Sequence, residues 1–342
     1  MASIKKPAVS YLGPTASYSH QAVRQMFPEG SWTLEPVYTI DDVFEQVQSG
    51  ATTVGVVPFE NSTNGSVVFT LDDFADRAGI FPDVTVVGEI FVDVHHYLVG
   101  KFPPQPPASS VISPGGSGTC TPTASDPTPL KPRAKPLCSL QHVKRLYSHP
   151  QAFGQCNAFT ATYLKGVEVL DASSTSKAAE IVAADETGTW AAISSELAAD
   201  LHPVDVLAKS IEDREDNTTR FLVIATDHTI QDRWDVRKRL PSTATSTTEG
   251  TSGQDLGSKS LISFTVPHSA PGALAEALSC FKAFEVNLTS INSRPSLEQP
   301  FHYLFFVEFE GKRGEERVEG ALERIGHVAE GWRWLGSWER YR

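Results

Sequence analysis

The chain has 342 residues, 40% hydrophobic and 9% aromatic, enough to bury real cores, so a disordered protein is excluded. Its 29 basic against 41 acidic residues leave a net charge of −12. With no basic patch to oppose that field, nucleic acid is not an expected partner. The four cysteines (Cys120, Cys138, Cys156, Cys280) are too scattered for a disulfide framework or a paired-thiolate metal site. No stretch reaches the roughly 18 uninterrupted apolar residues of a membrane span. The apolar run Val84–Val99 is broken by Glu89, Asp93, His95 and His96. The amino-terminal residues lack the apolar run of a signal peptide, so the expectation is a soluble, cytoplasmic protein away from the membrane.

In chain order, Val9–Leu12 reads as a strand, Gly13-Pro14 as a turn, and Ser17 as the cap of a helix to Phe27. Asp41–Gln48 is a helix stopped by Gly50, and the β-branched run Val54–Val57 is a strand buried on both faces. A helix over Val67–Arg77 carries the stripe Val68, Leu71, Phe74, Ala75. Residues 101–140 hold ten of the 23 prolines and read as a mobile low-complexity loop. Lys144–Tyr147 is then a strand, and Pro150–Leu164 a single helix with proline at its first position. Strands over Val167–Leu170, Trp190–Ile193, Val204–Ala208 and Thr219–Ala225, with a helix over Ser176–Ala184, complete an α/β region with largely parallel sheets. Residues 229–260, rich in Ser, Thr and Gly, read as a linker. Residues 261–342 follow the order β-α-β-β-α-β of a ferredoxin-like domain.

No phosphate loop, dinucleotide fingerprint or HExxH motif occurs. His95 and His96 sit side by side on a strand pattern, point to opposite faces, and do not share a metal. Polar residues instead gather just past strand ends: Gly13–Ser17, Pro58–Ser62, Ser148–Gln151 and Asp216–Phe221. Helix N-termini there suit an anionic ligand, and the Arg220 fork suits a carboxylate. The same Ser, Asn and Asp residues suit plain caps and turns equally well. From the residues alone, the region is a binder of a small anion.

These groups, in this order, resemble prephenate dehydratase. Pro58-Phe59-Glu60-Asn61-Ser62 with Gly65 and Val67, Ser148–Cys156, and Asn217-Thr218-Thr219-Arg220-Phe221 are similar to the family's P-x-E-N-S-x-x-G-x-V, S-H-P-Q-A-L-x-Q-C and N-x-T-R-F motifs. Gly272-Ala273-Leu274-Ala275, Asn292-Ser293-Arg294-Pro295 and Tyr303–Val307 resemble motifs of the ACT regulatory domain that follows in monofunctional members. Ala16 stands where the family usually has glycine, Asn292 where it has glutamate, and the Pro-rich loop is an insertion. The resemblance implies a two-lobed catalytic region over residues 1–228, similar to a periplasmic-binding-protein fold, and an ACT domain over 261–342. It implies the decarboxylating dehydration of prephenate to phenylpyruvate in L-phenylalanine biosynthesis. Aromatisation drives that step, so no metal or redox cofactor is expected. Arogenate dehydratase and a non-catalytic small-anion sensor are the alternatives.

Carried over residue by residue, the resemblance implies Thr219, Glu60 and Gln155 as catalytic. It implies substrate binding by Thr15, Ser17, Asn61, Ser62, Ser148, Gln151, Arg220 and Phe221, although Phe221 by itself reads as core. The effector, L-phenylalanine, is expected at Gly272, Ala273, Leu274, Asn287, Asn292, Ser293 and Arg294. A ferredoxin-like domain of this size leaves a sheet edge and one sheet face uncovered; the ACT domains it resembles pair with a second copy, so the resemblance implies a homodimer or homotetramer.

Overall fold

A computed structural model describes residues 6–103, 131–226 and 257–340. The chain opens with β1 (Ala8–Leu12), α1 (Tyr18–Met26), β2 (Thr33–Val37), α2 (Ile40–Gln48), β3 (Val54–Asn61), β4 (Gly65–Ser66), α3 (Val68–Ala75) and β5 (Val84–Asp93). Next come β6 (Tyr97–Gly100), β7 (Arg145–Ser148), α4 (Pro150–Gly154), α5 (Asn157–Tyr163), β8 (Glu168–Asp171), α6 (Thr175–Ala183), β9 (Trp190–Ser194), α7 (Glu196–Leu201), β10 (Asp205–Ala208) and β11 (Thr218–Thr226). The last part holds β12 (Ser258–Thr265), α8 (Ala273–Ala283), β13 (Leu288–Pro295), β14 (Tyr303–Glu310), α9 (Glu316–Val328) and β15 (Gly331–Glu339).

Two compact units result. One comprises residues 1–12, 22–92 and 219–342; the other comprises residues 13–21 and 93–218. The first is built on a sheet of order β13-β14-β12-β15-β5-β11-β3-β1-β2, with β4 paired to β3. The second is built on β10-β6-β9-β7-β8. Both are mixed rather than largely parallel. β3 runs parallel to β1 but antiparallel to β11, and β9 runs parallel to β7 but antiparallel to β6. Strand β2 escapes the sequence pattern because it lies at the sheet edge, with none of its residues buried and Pro36 inside it.

Local chemistry sets the element ends. Thr39 and Asp42 form a reciprocal cap on α2: Asp42 N–H donates to Thr39 Oγ1 at 3.0 Å, and Thr39 N–H to Asp42 Oδ2 at 2.8 Å. The expected single helix over 150–164 is two helices. The backbone breaks at Gln155 and Cys156, and Asp213 caps α5 by accepting from the N–H groups of Asn157 and Ala158. Part of the Pro-rich segment is structured. Leu140 is buried, Ala134 and Cys138 pack on the same core, and Leu137 N–H donates to Leu207. Residues 104–130 lie outside the described residues, as does most of the linker. The linker's final residues, Ser258 to Ser260, belong to β12.

The sequence β12-α8-β13-β14-α9-β15 with strand order β13-β14-β12-β15 is the ferredoxin-like arrangement. Alternation along its strands separates two faces. Ile262, Val307 and Phe309 pack with α8 and α9, whereas Leu261, Phe306, Leu335 and Trp338 join the core of Val57, Phe59, Leu71 and Phe74. The face expected to be uncovered therefore packs, in part, against the rest of the chain's own first unit. Gly336 makes the parallel bridge from β15 to β5 at Val86. Its φ is +131°, and a β-carbon there would fall inside the Val86 backbone, so no other residue fits.

One strained group tests this packing. On α3, Asp73 is half-buried with Oδ2 unbonded; burial, and then the charges of Asp41 and Asp72, push its carboxyl up to about 7. A folded-state pKa above the unfolded value of about 4 means stability falls as pH rises between the two and is flat above the higher. Asp73→Asn is therefore expected to raise Tm near pH ~8 and to change it little below pH ~4. Thermal melts across that range check it; an unchanged Tm near neutrality would contradict the burial.

Candidate active site

In the first unit, β11 and β3 pair antiparallel with Thr219 opposite Asn61 and Arg220 opposite Glu60. Asn61 Oδ1 accepts the backbone N–H groups of Thr63 and Asn64 at 3.0 and 2.9 Å, an Asx turn that fixes which way the amide faces. Its Nδ2 then donates to Thr219 Oγ1 at 2.9 Å. A hydroxyl that accepts from an amide keeps its own proton for another acceptor. Glu60 is half-buried and Ser62 exposed, both beside this pair in sequence.

Arg220 corrects an expectation. Successive residues of a strand point to opposite faces, so Arg220 turns away from the Asn61–Thr219 pair. It is 7% exposed. Its Nη2 lies 2.7 Å from Glu89 and 2.6 Å from Glu308, and Lys259 reaches the same two carboxylates at 3.5 and 3.3 Å. The guanidinium also lies over the rings of Phe59, Phe91 and Trp338. Its Nη2 is thus engaged by protein carboxylates. Burial opposes ionisation of Glu308, but the charges of Arg220 and Lys259 outweigh it and hold the carboxyl below its usual range. Phe221 is 1% exposed and belongs to the core, not to a binding surface.

In the second unit, Thr15 is exposed, and its carbonyl accepts from Ser176. Ala16, the residue in the glycine position, has φ +69° and is fully buried. Its left-handed backbone costs about 1–2 kcal/mol, which burial of the methyl, about 0.8 kcal/mol, partly offsets. Ser17 acts as a cap, accepting from His20 N–H at 3.2 Å. Ser148 is buried and donates to the Ile193 carbonyl at 2.8 Å, while His149 rather than Ser148 caps α4 through Gln151 N–H. Gln151 itself is exposed.

Gln155 terminates α4, and its Oε1 lies 2.6 Å from His96 Nε2. His95 and His96 fall between β5 and β6 rather than on a strand. Glu212 holds both, through His95 Nδ1 at 3.0 Å and His96 N–H at 2.8 Å. Among the described residues, no group of three or more His, Cys, Asp or Glu could hold a metal ion, and no helix is long and apolar enough to cross a membrane.

In the C-terminal domain, Gly272 precedes α8 with φ +82°, Ala273 is buried, and Leu274 packs on the domain core. Asn287 and Ser293 are exposed. Asn292, Ser293 and Arg294 lie on β13. Arg294 makes a bidentate pair with Asp72 at 2.9 and 2.7 Å, and Ser66 Oγ donates to Asn292 Oδ1 at 2.5 Å. Both side chains thus engage the segment that follows Glu60-Asn61-Ser62 instead of standing open to an effector.

Sequence reasoning missed Glu89, Lys259, Glu308 and the His96–Glu212 contacts. The available signal was a charge interrupting an otherwise buried strand, as at Glu89 and Glu308, since such charges are buried only when paired.

The site is thus an oriented threonine hydroxyl on a mixed sheet, carried by an α/β fold with a ferredoxin-like domain docked on it. The family model for prephenate dehydratase matches residues 9–229. The bifunctional chorismate mutase/prephenate dehydratase of Aquifex aeolicus is 34% identical over 336 residues, 98% of this chain and 74% of the relative. The prephenate dehydratase of Methanocaldococcus jannaschii is 28% identical, covering 93% of each chain. The solved structure of the Arthrobacter aurescens prephenate dehydratase in complex with L-Phe superposes with a TM-score of 0.73 at 25% identity, over 98% of this chain and 90% of that one. The chain belongs to the prephenate dehydratase family, lyases that dehydrate and decarboxylate prephenate.

The buried charges give a stability test. Glu308→Leu leaves two cations facing one carboxylate and should cost about 3–5 kcal/mol in chemical denaturation. Adding Arg220→Met, which removes the pair together, should recover most of that loss. Losses that simply add would show that the two side chains are not coupled.

Proposed function

We propose that this chain converts prephenate to phenylpyruvate with Thr219 as the donor at the leaving hydroxyl. Prephenate must lose its ring hydroxyl as water and its ring carboxylate as carbon dioxide. The electron pair of the breaking C–C bond enters the ring as the C–O bond breaks, and one proton is taken up by the departing hydroxide. The observation that carries this reading is the Asn61 amide, locked by its turn and donating to Thr219 Oγ1, which leaves the threonine proton for the substrate. An alcohol is too weak an acid to be the net proton source, so its role is hydrogen bonding. Gln155 orients the substrate. The structure supports anion binding by Arg220 less well, because that side chain serves Glu89 and Glu308.

Thr219→Ala is expected to lower kcat by roughly 100- to 1,000-fold, the usual effect of removing one donor at a developing charge. Turnover of purified protein with prephenate and arogenate side by side, with circular dichroism to confirm folding, is the measurement. Near-normal turnover by the folded variant would remove Thr219 from the mechanism, and faster turnover of arogenate would reassign the substrate.

The C-terminal domain is proposed as a sensor of L-phenylalanine that lowers activity, acting within a homodimer or homotetramer in the cytoplasm. Support comes from the L-Phe complex of the Arthrobacter relative and from the open, left-handed Gly272 at the start of α8. Gly272→Val forces a β-branched residue into φ +82°, which such residues avoid. Calorimetry should show phenylalanine binding to the wild type, weakened in this variant together with inhibition of turnover. Binding without any effect on turnover would make the domain structural, because an effector acts only through a difference in affinity between states.

A further inference from the structure

The second unit holds a cavity of about 670 Å³ that none of the motif residues lines. Its walls are the loop 135–141, the residues just before β7, the end of α5 and the turn at 165–167. Pairing of β7 with β8 draws these segments together, and the Lys144 carbonyl accepts from Glu168 N–H at 3.0 Å. The volume suits a small organic molecule, whose pockets run from roughly 300 to 1,000 Å³.

The floor of the cavity is apolar and fixed. Leu140 and Val143 are 7% and 3% exposed and belong to the same core as Phe159 and Leu164. Tyr163 forms a wall, its ring centroid 5.0 Å from that of Phe159. The rim is cationic. Lys135, Lys144 and Lys165 line it, and among the described lining residues there is no Asp or Glu, in a chain with 41 acids. The positive sign thus belongs to this place and not to the chain. Among the described residues, Lys144 Nζ reaches the Gln141 carbonyl at 3.5 Å, and Lys165 makes no hydrogen bond or ion pair. Glu168, the acid that follows the turn, is paired with Arg145 at 2.8 Å.

A concave site with apolar walls concentrates the field of the charges around it, so three ammonium groups select an anion. An ammonium is a point charge and does not demand the planar fork of a carboxylate. The apolar floor asks for an apolar body on the same molecule. We propose that this cavity is a binding site for an amphipathic organic anion, one acidic group on an apolar body, separate from the residues assigned to the lyase reaction. It goes beyond that reading and does not depend on it.

Cys138 supplies a reporter, since it lines the cavity and is half-buried. Burial, and then the charge of Asp205, push its thiol up, so its alkylation calls for alkaline pH. The full chain is treated with iodoacetamide near pH ~9, with and without 2-naphthoate, and Cys138 modification is followed by peptide mass spectrometry. Sodium sulfate at equal ionic strength supplies the charge without the body, and 2-naphthylmethylammonium supplies the body with the opposite charge. 2-Naphthoate well above its Kd should slow the modification roughly fivefold or more, while the other two compounds change it less than about twofold. Lys144→Glu/Lys165→Glu reverses both charges, and Thr162→Trp brings a large ring into the cavity from an exposed position of α5. Each should raise the 2-naphthoate concentration needed about tenfold or more. Circular dichroism confirms folding, and should one variant not fold, the other carries the comparison. Equal protection by sulfate or by the amine, unchanged protection in a folded variant, or none at millimolar 2-naphthoate would each overturn the site. None of these readouts uses prephenate turnover, so a failure of the proposed function would leave the test intact.

Discussion

Two adjacent residues on β11 face opposite ways, and the arrangement of the first unit follows from what each side requires. Thr219 meets the Asn61 amide, while Arg220 enters a buried group of two cations and two carboxylates from four strands. Such a group is costly to desolvate and tolerates little displacement, because each charge is stable only where its partners are. Three aromatic rings around the guanidinium remove the space into which it could relax.

The same cluster explains why the C-terminal domain belongs to the first unit rather than hanging beside it. Lys259 and Glu308 come from its β12 and β14, Glu89 and Arg220 from β5 and β11. Apolar side chains of the domain complete the adjoining core, and Arg294 and Asn292 reach Asp72 and Ser66. The contacts fall on the two stretches of chain that carry Asn61 and Thr219. A ferredoxin-like domain can thus be read here as the floor of the sheet that carries Asn61 and Thr219 as well as a separate module.

Periodicity made the element types legible, because long apolar stripes such as those on Val68–Ala75 and Glu316–Val328 have one simple interpretation. Motif order identified the family. What the sequence could not convey was direction. Whether Arg220 faces an anion or a buried carboxylate depends on partners 131 positions earlier and 88 positions later, and no local pattern carries that. Ser17 and Ser148 illustrate the other limit: residues suited equally to caps and to ligands declare themselves only once their partners are in place. The break at Gln155 was hidden for the same reason, since its cap, Asp213, lies far along the chain.

The shared charges also bear on how such a protein can change over generations. A ferredoxin-like domain borrowed from another protein would join this chain only if it brought an acid where Glu308 stands and a base where Lys259 stands. A donor lacking either would strand Arg220 or Glu89 in a dry interior, whatever its own ligand affinity. Exchange of ferredoxin-like domains on such a sheet is therefore governed by the seam. Lineages that keep the seam are free to vary the rest of the domain, whereas those that lose one charge must lose its counterpart as well.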